Sequence, residues 1–69
     1  MSLTAALTDR ADIERTLGRQ QRQFADRQRR LATADPSPMN ALRRRAAKFY
    51  DIAAVVHERA AAAIERSGG

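Results

Sequence analysis

Cysteine is absent from this sequence, so neither a disulfide nor a thiolate-held metal braces the fold. The single histidine, His57, leaves no cluster of metal ligands, and the segment it opens lacks the second histidine of an HExxH zinc site. Long apolar runs are missing too. None exceeds five residues, as in Ala60–Ile64, far short of the roughly 20 needed to cross a bilayer. The N-terminus has neither the basic head nor the long apolar core of a secretory signal, and cytoplasmic localisation is the default expectation.

Proline and glycine are scarce, at two and three residues, and both prolines fall together at Pro36 and Pro38. Tryptophan is absent, with one tyrosine and two phenylalanines in its place. A chain of 69 residues buries only about 60% of the surface its unfolded form exposes. Without the usual staples of small folds, self-association or a partner is the expected remedy.

What is present is helical. Ser37 is suited to cap a helix, because its hydroxyl accepts from a first-turn amide, and Pro38 fits the first helical position, where no amide hydrogen is needed. From there Met39, Leu42, Ala46, Phe49, Ala53, Val56, Ala60 and Ala63 alternate spacings of three and four, the a/d pattern of a helix packed lengthwise on another. Ser67-Gly68-Gly69 stops the helix as a frayed tail. The preceding stretch places Leu3, Ala6, Ile13, Leu17, Phe24 and Leu31 on one side at about 100° per residue. This helix starts early, capped by Ser2, or late, capped by Thr8; the early start brings Leu3 and Leu7 into the stripe. Gly18, in its middle, costs roughly 1 kcal/mol relative to alanine and marks a soft point.

The expected fold is therefore all-α, one domain over 1–69, with helices at 3–33 and 38–66, a turn at 34–37 and a tail at 67–69. So short a turn forces the helices antiparallel. Partners across the hairpin then sum to about 71 or 72, bringing Leu31 to Met39 and Leu42, Phe24 to Ala46 and Phe49, and Leu17 to Ala53 and Val56. On the second helix the apolar sector also spreads to Tyr50, Ile52 and Ile64, wider than one neighbouring helix covers. A homo-oligomer, a dimer forming a four-helix bundle, is the favoured assembly. Its association or partner face comprises Met39, Leu42, Phe49, Tyr50, Ile52, Val56 and Ile64, with Leu17, Phe24 and Leu31 from the first helix. Gln21 and Gln28 lie in the first stripe, either reaching solvent or forming a buried polar layer.

Catalytic groups are not evident. His57 is placed at a seam edge, bonded to water or a neighbouring acid; the carboxylates lie within a helical turn of basic residues, as Asp26 does beside Arg22, Arg29 and Arg30. No enzyme, cofactor, metal or small-molecule substrate is expected. The net charge is +5, with twelve arginines among thirteen cations and fifteen alanines beside them, a composition that GC-rich coding also produces. Residues 19–48 carry Arg19, Arg22, Arg27, Arg29, Arg30, Arg43, Arg44, Arg45 and Lys48 against Asp26 and Asp35, 9 − 2 = +7; the terminal half has 4 − 6 = −2. Such a cluster suits phosphates or an acidic partner, and it equally suits self-pairing with the acidic ends of a second copy.

In helix count, loop length and heptad pattern the plan is similar to that of the plasmid copy-number regulator Rop, a short helical hairpin that dimerises into a four-helix bundle and binds RNA. The likeness is one of architecture. The functional expectation is a non-enzymatic interaction or assembly subunit. The alternative is a small basic nucleic-acid-binding accessory or regulatory protein using its arginine-rich turn end.

Overall fold

The computed structural model describes residues 3–34 and 37–68. Ser2 as a cap, the Asp35-Pro36 part of the turn, Gly69 and the side chain of Leu3 lie outside the described residues. Two helices, α1 (Leu3–Ala34) and α2 (Met39–Gly68), pack against each other as an antiparallel hairpin, a rod of 52 × 15 × 11 Å. Helix α1 takes the earlier of its two possible starts.

The start of α2 follows from Ser37. Its hydroxyl oxygen accepts from the Met39 amide at 3.2 Å, and its carbonyl accepts from the Asn40 amide at 3.1 Å. Pro38 thus stands inside the first turn, where its missing amide hydrogen costs nothing. The far end differs from expectation, because α2 continues through Ser67 and Gly68 rather than fraying. Ser67 donates its hydroxyl to the Ala63 carbonyl at 3.0 Å, and a Cβ at Gly68 would lie 3.3 Å from the Leu7 side chain, so the last turn rests on α1.

The seam between the helices is made of small residues. Ala11, Gly18, Ala25 and Ala32 recur every seventh residue on α1, as do Ala47, Ala54 and Ala61 on α2, and all are buried. They pair at a constant sum of 72 (11 with 61, 18 with 54, 25 with 47), and Asn40 stands level with Ala32. Taking this row as heptad position a, position d holds Leu7, Glu14, Gln21 and Gln28 on α1 and Arg43, Tyr50, His57 and Ile64 on α2, all half-buried. Asn40 Oδ1, enclosed at the turn end, has no hydrogen-bond partner among the described residues.

This corrects the expected seam. Met39, Leu42, Phe49 and Val56 are 50–65% exposed and do not form the contact between the two helices. The true a/d positions lie one residue later, a rotation of about 100°. Alanine and glycine let the backbones approach where leucine and phenylalanine would hold them apart, and dispersion over the whole length favours the closer packing. Gly18 belongs to this close approach: a Cβ there would lie 3.4 Å from the Ala54 carbonyl oxygen and 3.4 Å from Glu58 Cγ. It is part of the buried row. Gln21 and Gln28 sit in the seam itself, each half-buried.

Candidate functional site

Once the seam is fixed, helical geometry assigns the rest of each helix to one of two sides. In an antiparallel pair the e positions of both helices flank the seam on one side and the g positions flank it on the other. The e side is polar. Arg15, Arg22 and Arg29 on α1 pair with Glu65, Glu58 and Asp51 on α2, three rungs at seven-residue spacing. The middle rung is bidentate, with Arg22 Nε donating to Glu58 Oε1 at 2.6 Å and Nη2 to Oε2 at 2.9 Å. Those hydrogen bonds hold the Glu58 carboxyl below its ordinary pKa, partial desolvation opposing them, and raise that of Arg22. Within the seam, His57 Nδ1 and Glu14 Oε2 lie 2.6 Å apart, the neighbouring acid expected for this histidine.

The g side is apolar and open. Leu17, Phe24 and Leu31 form a ridge on α1, and Leu42, Phe49 and Val56 form a second ridge, one row farther out on α2. Between them α2 presents Ala46, Ala53 and Ala60, so the two ridges border a shallow groove along the rod. Phe24 leans across the seam, its ring centroid 5.4 Å from that of Tyr50 at an angle of 50°. Phe49, Ile52 and Val56 are 65%, 60% and 59% exposed, and Ile13 on α1 is 57% exposed.

The residues expected on the association face therefore divide. Met39, Leu42, Phe49, Ile52, Val56, Phe24 and Leu31 are exposed, while Leu17, Tyr50 and Ile64 are half-buried and the last two belong to the seam. The basic residues divide as well. Arg22 and Arg29 are engaged by carboxylates of α2, Arg19 donates to Thr16, and Arg43 donates to the Leu31 carbonyl at 3.2 Å. Arg27, Arg30, Arg44, Arg45 and Lys48 are exposed, and among the described residues no ion pair holds them. Arg44 and Lys48, with Arg29 and Thr33, line a cleft of about 340 Å³ near the turn.

The interhelical rungs have a sequence signal that hydropathy does not use. Arg15, Arg22 and Arg29 keep the same heptad spacing as Asp51, Glu58 and Glu65, and each pair sums to 80. Expectation had the carboxylates paired within their own helix. Asp12 with Arg15 at 2.9 Å and Asp26 with Arg29 at 3.5 Å do so, but Asp51, Glu58 and Glu65 reach across to α1.

Together these features define the class: an all-α antiparallel hairpin with an alanine seam, one salt-bridged side and one open apolar side. No known family model, curated protein or solved structure matches the chain. Among the described residues, no helix is long and apolar enough to cross a membrane, and no three potential metal ligands converge.

Proposed function

We propose that this chain is a non-enzymatic assembly module that docks through its g side onto a helical surface, whether of a second copy, giving a four-helix bundle, or of another protein. One observation carries this: the large apolar side chains stand exposed on one side while alanines hold the hairpin together. Burying a side chain such as Phe49 or Leu42 is worth about 1.5–3 kcal/mol, so a row of them left in water favours a covered state. Sedimentation equilibrium at ~100 µM, alone and with an added amphipathic helical peptide, tests it. Association is expected with one or the other, and Phe49→Glu with Val56→Glu should abolish it without loss of helical circular dichroism. A cooperatively melting monomer that ignores the peptide overturns the proposal.

The cleft lined by Arg29, Thr33, Arg44 and Lys48 supports a second function, contact with nucleic-acid phosphates at the turn end. Arg44 occupies the e row in which Asp51, Glu58 and Glu65 are acidic, so the row reverses sign near the turn. If phosphates bind there, Arg44→Gln and Lys48→Gln should each flatten the slope of log affinity against log salt by about 0.7–0.9. An unchanged slope removes this function.

A further inference from the structure

The net charge of the protein is distributed across the rod as well as along it. The g, c and f rows of the two helices make up the apolar side and its outer rim. Among the described residues they carry Arg10, Arg27, Arg30, Arg45, Arg59 and Arg66 against one carboxylate, Asp9, a net +5. The opposite side is nearly balanced, because its arginines face Asp51, Glu58 and Glu65, and Glu14 is held at His57. All three carboxylates of α2 are thus turned away from the groove. The six rim arginines are exposed, and among the described residues none of them has a carboxylate partner.

We infer that the occupant of the groove is an amphipathic helix of another protein whose flanks are acidic. This rests on the docking function proposed above and names the partner's chemistry. Two independent features point the same way. The ridges Leu17-Phe24-Leu31 and Leu42-Phe49-Val56 repeat every seven residues on either side of an alanine floor, a spacing that suits a helix laid lengthwise with its apolar stripe down. The rim then meets the rows that flank such a stripe, where glutamate or aspartate completes pairs with the arginines and lysine or arginine is repelled. A second copy is a poor occupant on the same ground. Its groove side brings another six arginines and one aspartate, while the carboxylates that could answer them are spent inside each hairpin.

The test uses the whole chain and two designed helical peptides with identical apolar stripes, one flanked by glutamates and the other by lysines, with binding followed by calorimetry. The acidic peptide should bind about tenfold or more tightly than the basic one at ~50 mM salt, and the gap should shrink by ~500 mM. Arg27→Glu with Arg45→Glu and Arg59→Glu should reverse the preference; these side chains are exposed, and circular dichroism checks that the variant stays helical. Phe49→Glu with Leu42→Glu should abolish binding of both peptides. Equal binding of the two peptides overturns the acidic partner and leaves the docking function standing. A self-dimer that excludes both peptides does the same in favour of a second copy. Tighter binding to phosphatidylglycerol-containing vesicles than to the acidic peptide overturns it in favour of a lipid surface. A monomer that binds neither peptide nor vesicles overturns both the partner and the docking function.

Discussion

Gly18 lies against the backbone of Ala54, with room for one methyl group between them: a Cβ would stand 3.4 Å from the Ala54 carbonyl oxygen, an ordinary contact. The other members of its row on α1, Ala11, Ala25 and Ala32, already carry that methyl. Gly18→Ala should therefore raise stability by about 0.5–1 kcal/mol, the difference in helix propensity. Gly18→Leu should lower it, since the added atoms enter the close approach of two backbones. Urea melts followed by circular dichroism read both, and a destabilised alanine variant would show that the helices are closer than an alanine row allows.

The position of the seam makes opposite demands on two neighbouring rows. Ala54→Leu overpacks a buried position and should cost about 1–3 kcal/mol, whereas Phe49→Ala should change the isolated chain by no more than about 0.5 kcal/mol, because Phe49 is 65% exposed. If the two effects were exchanged, α2 would be turned by one residue from its place here. The measurement is made at low protein concentration, where the open side stays uncovered.

Glu14 and His57 form a polar level in the d row of the seam, each half-buried and 2.6 Å from the other. Replacing either one by leucine should destabilise by about 1–3 kcal/mol, since the remaining group loses its partner while still partly desolvated. Replacing both should recover most of that loss. Coupling near zero in the double-mutant cycle would mean that the two side chains are solvated independently.

The Arg22–Glu58 rung sets an acid limit. Because Glu58 has a lowered pKa in the folded chain, its contribution is fully present above the unfolded carboxylate value, ~4.3, and is lost as pH falls through the lower folded value. Stability of the wild type should decline more steeply than that of Glu58→Gln below about pH 4.3, and high salt should narrow the difference. Identical acid profiles for the two proteins would leave the rung without influence on folding.

Much of the fold is legible in the residues. Ser37 and Pro38 mark the start of α2, the scarcity of glycine and proline elsewhere keeps both helices whole, and the short turn gives the antiparallel register near 72 that Gly18 and Ala54 occupy. The rotation of the helices is harder to see, because each carries two adjacent heptad stripes. Ranking by hydrophobicity selects the stripe of Leu42, Phe49 and Val56, while the close approach of two backbones selects the stripe of Ala47, Ala54 and Ala61. The open apolar side was visible only as an apolar sector too wide for one neighbour. Its arginine rim emerged once the carboxylates of α2 were placed on the opposite side.

The alanine seam also bears on how long the protein survives. An alanine offers a single methyl to burial, and a buried CH₂-sized group is worth only about 0.8 kcal/mol, so the buried alanine row contributes little by itself to holding the hairpin closed. Proteases cut opened states in proportion to their population, so if the hairpin docks as proposed, an undocked copy is the more readily cut. A partner present at one hundred times its dissociation constant adds about 2.7 kcal/mol to the closed form, a roughly hundredfold reduction in the opened fraction. The amount of this protein in a cell would then follow the amount of its partner, with surplus copies degraded instead of accumulating with their apolar side exposed.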